Sequence, residues 1–259
     1  MRLTALGDLL LDVIVRLDDP LVLGDDRMAE TRVVAGGQAA NVAAWASSLG
    51  AEARFVGRRG DDDAGEIVTR ALSSYGVHVV GPVSGRTGVV VSIASDGDRT
   101  MASDRGSAPD LAPQDLDESW FDCDVLHVSG YSLLREPISS AAVEAARSTR
   151  RQNGIVAVDV STWSLVDEPF RARLHELAPD VVFATEREHA AVGDLETRWV
   201  LKRGADGLSV DGRDYPAAAT EVVDTTGAGD ALAAGFLVGG ADLGLEAAAR
   251  CCARLGAMP

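Results

Sequence analysis

Three short apolar runs in the second half of the chain, residues 125–130, 155–159 and 181–184, are separated by stretches with helical spacing such as 137–151. Runs of this length, buried on both faces, are what central parallel strands require. The first half repeats the alternation: a strand at 3–6, a helix over 38–49 stopped by Gly50, a strand end at 55–57, a helix over 63–75 closed by Gly76, and a strand at 77–80. Strand and helix in alternation predict an α/β fold, doubly wound, with a mostly parallel central sheet flanked by helices. Residues 13–17, 31–35 and 86–94 break the pattern, because no long helix accompanies them. They predict a small β-sheet apart from the main body, and Asp96-Gly97 gives it a hairpin joining 89–94 to 99–101.

Charge narrows the partners. The 259 residues hold 40 acidic against 24 basic side chains, a net −16, and neither nucleic acid nor an anionic membrane is a natural partner for a surface without a basic footprint. Lys202 is the only lysine. An anionic ligand must therefore be met locally, by backbone amides and metal. Cys123, Cys251 and Cys252 lack metal-ligand or disulfide-framework spacing. The first residues read as an apolar strand without a charged leader, and no 18 apolar residues run together, so the expected location is cytoplasmic. His127, inside an apolar run, reads as a satisfied core residue, and Asp61-Asp62-Asp63 as a solvated helix start.

The chemistry concentrates in Asp224-Thr225-Thr226-Gly227-Ala228-Gly229-Asp230, followed by an Ala/Leu run. Extended residues at 220–223, a glycine turn and a helix start are expected in that order. A helix start carries roughly half a positive charge, and small residues let an anion approach its free N–H groups. Gly227, Ala228 and Gly229 are thus the expected cradle for a phosphoryl group. A carboxylate beside such a site costs Coulomb energy unless it has a task, so Asp230 is the expected general base for an attacking hydroxyl, kept ionised by the helix dipole. A dinucleotide fingerprint does not fit, because Leu232 stands where a third glycine is needed.

These seven residues resemble the C-terminal signature of the ribokinase-like, or PfkB, carbohydrate kinases, and Gly36-Gly37-Gln38-Ala39-Ala40-Asn41 resembles their N-terminal one, roughly 190 residues upstream. The resemblance implies ATP-dependent phosphorylation of a hydroxyl on a sugar or sugar-like molecule, with magnesium; a nucleoside kinase and a noncatalytic sugar-binding protein are the alternatives. It implies a kinase domain over 1–12, 36–85 and 106–259 and a lid over 13–35 and 86–105, the lid serving a homodimer. Asp12 stands five residues after Gly7, as does the family's hydroxyl-binding aspartate. Gly37 and Asn41 would join it at the substrate, whereas Asp8 reads as a turn cap. Arg105 reads either as a surface arginine or as a substrate contact useful to a carboxylate-bearing sugar.

Thr185-Glu186-Arg187-Glu188 falls where the family has Asn-x-x-Glu, so Glu188 would organise magnesium through water, while Thr185 offers one hydroxyl in place of an amide. Lys202, Gly204 and Gly207 resemble the strand and turn lining the ATP groove. Asp224 and Thr226 match the start of a monovalent-cation site, with K+ the ion implied. Ten residues separate Glu188 from Trp199, and few follow the helix containing Cys251, so the nucleotide half reads as trimmed relative to the family.

Overall fold

The computed structural model describes residues 1–22, 24–95 and 98–259, with the side chains of 94, 95, 98 and 99 set aside. Asp96-Gly97 therefore lies outside the described residues, although the strands on either side pair as a hairpin should.

Thirteen described strands form two sheets. In chain order they are β1 (Arg2–Leu6), β2 (Leu10–Leu17), β3 (Ala29–Gly36), β4 (Glu52–Val56), β5 (His78–Val80), β6 (Thr87–Ser95), β7 (Asp98–Gly106), β8 (Val125–Ser129), β9 (Ile155–Asp159), β10 (Val181–Thr185), β11 (Arg198–Lys202), β12 (Leu208–Val210) and β13 (Arg213–Tyr215). The helices are α1 (Gln38–Ser48), α2 (Asp63–Ser74), α3 (Ile138–Arg151), α4 (Glu168–Leu177), α5 (Glu186–Val192), α6 (Ala228–Gly239) and α7 (Ala241–Cys252).

The large sheet has nine strands in the order β13-β12-β11-β10-β9-β8-β1-β4-β5. From β11 to β5 every pairing is parallel; β12 and β13 return antiparallel at one edge. Side-chain alternation along each parallel strand feeds two cores. Leu3, Ala5, Val181 and Phe183 face a cluster that includes Trp45, Ala231 and Phe236. Leu6, Leu126, Val158, Val182 and Ala184 face a second one with Ile138, Phe170 and Leu174. A strand buried on both faces has no position for a polar repeat, which is why these segments read as unbroken apolar runs.

The small sheet runs β3-β2-β6-β7 and is drawn from two separated stretches of chain, joined where β2 and β6 pair in parallel. β2 begins at Leu10, so Asp12 sits inside this sheet opposite Val34 of β3 and Val90 of β6. Asp62 caps α2 through the Gly65 N–H at 2.8 Å and holds Thr87 of β6 through both its N–H and its hydroxyl. Asp62 of the acidic triplet therefore joins the start of α2 to the small sheet.

Residues 220–223 are a correction. They form no strand; Val222 and Val223 are exposed, and the N–H groups of Val223 and Asp224 both donate to the Cys252 carbonyl. With β13 at the sheet edge, the segment leans on the end of α7 and has no free ladder to join.

Candidate active site

The expected site residues gather at the carboxyl ends of the parallel strands, where open α/β sheets hold their ligands. Gly7 and Asp8 follow β1, Ser129 ends β8, Asp159 ends β9, Thr185 ends β10 and Lys202 ends β11. The start of α6 and the start of α1 close the same end from above.

At the start of α6, Gly227 is the N-cap with φ 77, a left-handed value natural to glycine. A Cβ there would also stand 2.5 Å from that of Ala257. The N–H groups of Gly227, Gly229 and Asp230 find no protein acceptor among the described residues, as the first turn of a helix dictates. Ala228 departs from expectation: its N–H donates to the Thr225 carbonyl at 3.2 Å, so it closes the turn and leaves the cradle to its neighbours.

Asn41, near the start of α1, is buried and donates from Nδ2 to Asp230 Oδ2 at 2.7 Å, joining residues 189 positions apart. Its Oδ1 has no hydrogen-bond partner among the described residues. Burial pushes the Asp230 carboxyl up to about 7; the Asn41 hydrogen bond opposes this, Asp159 adds to it, Lys202 opposes it and Asp12 adds to it. Burial thus works against the expectation that the helix start keeps Asp230 ionised. A carboxyl poised near neutrality is what proton abstraction at physiological pH favours.

Asp12 lies beside this pair. A Cβ on Gly36 would come within 2.1 Å of Asp12 Oδ2, and one on Gly37 (φ 104) within 2.3 Å of the Asp8 carbonyl. The two glycines thus let β3 turn into α1 directly against the residues after β1.

Asp8 and Arg105 are both corrected. Asp8 is buried, and Arg105 reaches it across 97 positions with two charge-assisted hydrogen bonds, Nε to Oδ2 at 2.6 Å and Nη2 to Oδ1 at 2.9 Å. Arg105 is not a surface residue, since only 16% of its side chain is exposed. Its remaining nitrogen, Nη1, is buried without a partner among the described residues.

Lys202 faces the cradle from the other side. Its Nζ donates to Asp159 Oδ1 at 2.8 Å and Oδ2 at 2.7 Å, and stands 4.0 Å from Glu188 Oε2. Burial alone would lower the ammonium, but Asp159 and Glu188 outweigh it and raise it. A Cβ built on Gly229 would lie 3.6 Å from that Nζ, so the single lysine stands over the positive end of α6. An anion between the two satisfies both.

Thr185 and Glu188 form a reciprocal cap on α5: the Thr185 N–H donates to Glu188 Oε2 at 2.7 Å, and the Glu188 N–H donates to Thr185 Oγ1. Thr185 is thereby committed as an acceptor to its own helix. Thr185, Glu188 and Lys202 line a groove of about 550 Å³, together with Trp163, Arg203 and Asp206. Gly204 and Gly207 are not among its lining residues; at Gly207 a Cβ would meet the Tyr215 carbonyl at 2.0 Å, because the end of β13 passes close beside it.

Asp224 accepts from the Thr226 N–H and hydroxyl with Oδ1 and from the Gly256 N–H with Oδ2 at 3.1 Å. That carboxylate shapes the loop, and both its oxygens are engaged. Among the described residues no cluster of three His, Cys, Asp or Glu could hold a metal by itself.

Sequence reasoning passed over Asp159, although a lone aspartate ending the apolar run 155–159 marks the carboxyl end of a parallel strand. It also passed over Gln38, whose Oε1 accepts from Ser129 and Ser161 at 2.6 and 2.7 Å. His127 is buried as expected but not satisfied: neither ring nitrogen has a partner among the described residues, and burial takes it down to about 4.

A helix start, a poised carboxyl and a lysine around one cleft define an anion-handling α/β enzyme. The chain belongs to the pfkB family carbohydrate kinases, whose family model matches residues 2–258; these are phosphotransferases with an alcohol group as acceptor. It is 32% identical over 257 residues to an ATP-dependent ribose-1-phosphate kinase of Halopiger xanaduensis, spanning 92% of this chain and 84% of that one. It is 28% identical over 236 residues to an aminoimidazole riboside kinase of Salmonella typhimurium, spanning 78% and 72%. Among solved structures, the adenosine kinase of Sinorhizobium meliloti superposes with a TM-score of 0.88 at 27% identity, covering 100% of this chain and 95% of that one. The fold is accordingly ribokinase-like, and no described helix is long and apolar enough to cross a membrane.

Proposed function

We propose that the protein transfers the γ-phosphoryl group of ATP to a hydroxyl of a sugar or of a sugar-like molecule, a nucleoside included, with Asp230 as general base. The observation that carries this reading is the junction at α6, where a carboxyl poised near 7 shares one helical turn with free N–H groups that face the only lysine. Asp230 removes the acceptor's proton as its oxygen attacks. The N–H groups of Gly227 and Gly229, with Lys202 Nζ, hold the charge gathering on the transferred oxygens. Asp12, Gly37 and Asn41 orient the acceptor, and Asn41 also fixes the rotamer of the base. Nucleotide lies along the groove from Thr185 to Asp206.

Asp159 and Glu188 against Lys202 leave that end with one surplus negative charge, so polyphosphate needs a counter-cation. Glu188 would hold magnesium through water, and the bound ion would supply that charge. The monovalent cation does not fit as well, because Asp224 already spends both oxygens on Thr226 and Gly256, and no step is assigned to K+. The small sheet acts as the lid, excluding water from the transfer, and its outer face serves a homodimer in a cytoplasmic enzyme. Asp230→Asn should lower kcat roughly 10²–10⁴-fold with the fold intact. Turnover with ATP and a sugar panel, read as ADP release beside circular dichroism, tests it; undiminished turnover removes Asp230 from the role.

A further inference from the structure

The chain leaves β9 through a conformation that costs energy. The Thr162 N–H donates to the Val160 carbonyl at 3.0 Å, closing a γ-turn on Ser161, and Ser161 holds φ 77. With a side chain at its centre, such a turn is strained. Strained residues persist where their surroundings over-determine them, and they gather at functional sites. Ser161 is held in that way: its N–H donates to Asp159 Oδ1 at 3.0 Å, and its hydroxyl lies 2.7 Å from Gln38 Oε1 and 3.0 Å from the Asp159 carbonyl. Gln38 Oε1 also accepts from Ser129 at the end of β8. Gln38 is the first residue of α1, the helix whose Asn41 grips Asp230.

Asp159 is almost fully buried and is not among the residues lining the groove, whereas Ser161 and Lys202 are. The Lys202 ammonium has three donors and spends two of them on Asp159. Glu188 Oε2, at 4.0 Å, is beyond hydrogen-bond reach, so fixing two donors sets the direction of the third. An aspartate that only balanced the lysine's charge would need neither the strained turn nor the link to α1. Resting on the phosphoryl-transfer reading of this cleft, we propose that Gln38, Ser161 and Asp159 are positioning residues that aim Lys202 at the start of α6. The cation that meets the phosphoryl group is thereby tied to the helix that holds the base.

Because Lys202 is the only lysine, protein labelled with 15N at lysine Nζ gives one side-chain ammonium signal, which reads the aim without turnover. Gln38 lies two hydrogen-bonded residues away from Lys202, yet Gln38→Ala should shift or broaden that signal, as should Ser161→Ala. Ser161→Gly loses the hydroxyl but suits φ 77, so it should melt higher than Ser161→Ala. Both should still lose kcat by about tenfold, as small misplacements do, with the acceptor KM within about twofold. Asp159→Asn removes a negative charge beside the phosphate path, so nucleotide should bind at least as tightly while kcat falls. Gln38→Ala combined with Asp159→Asn should cost no more than the worse single change, since both act through one network. An unmoved ammonium signal in Gln38→Ala, additive losses in the double variant, a raised acceptor KM as the main effect of Gln38→Ala, or wild-type turnover in Ser161→Gly would each overturn the proposal. If the signal moves as expected yet no acceptor yields ADP with the wild type, the phosphotransfer reading fails while the positioning of Lys202 stands.

Discussion

Asp230 combines two properties that pull against each other in the free protein. Its carboxyl titrates near 7 in the fold and near 3.8 when unfolded, so the folded state binds the proton more tightly. Stability from this group is then lost as pH rises from about 4 to 7, and activity is gained over the upper part of that range. The kcat/KM profile should climb with an apparent pKa of about 7. Asp230→Asn should melt higher than the wild type by a margin that grows between pH 4 and 7 and then stays level, read by thermal unfolding across pH. Gly36→Ala drives a methyl onto Asp12 Oδ2 at 2.1 Å, and should raise the acceptor KM about tenfold or more while leaving ATP binding in place, a split that initial-rate kinetics resolves. Asp230, Asn41 and Asp12 were legible because each belongs to a short motif or stands at a fixed offset from a glycine. The Asp8–Arg105 and Asp159–Lys202 pairs were not, since their members are 97 and 43 positions apart and no local pattern announces a partner across a cleft.

Among the elements, the loop before α6 depends on the chain after α7. Gly256 donates to Asp224, Ala257 packs on Gly227 and its carbonyl accepts from Trp45 Nε1 at 2.8 Å. Asp224→Ala removes an acceptor for three hydrogen bonds and should cost about 3 kcal/mol of stability, seen as an earlier urea midpoint. Turnover should fall beyond what unfolding explains, because the cradle loses its shape. The βα alternation was readable from sequence because strands buried on both faces leave unbroken apolar runs. Residues 220–223 misled because Val222 and Val223 favour extended backbone, but whether a neighbouring strand is free to pair is decided by topology and not by propensity.

The whole molecule carries 40 acidic and 24 basic side chains, and much of that charge lies on exposed surface. Such a surface repels itself in the compact state, and salt screens the repulsion within about 10 Å at 0.1 M. Raising sodium chloride from low to molar concentration should therefore raise Tm by several degrees, measured by calorimetry. The doubly wound architecture was visible in the sequence because it follows from periodicity. The joining of two distant hairpins into one small sheet through β2 and β6 was only suggested by the absence of helices there.

The Asn41–Asp230 bond ties the first helix to the sixth. During synthesis, therefore, the emerging chain displays Asp12, Asn41 and Lys202 well before the residue that would take the proton. Any proteolytic cut between the two helices that lets the pieces separate would part the base from the side chain that holds it.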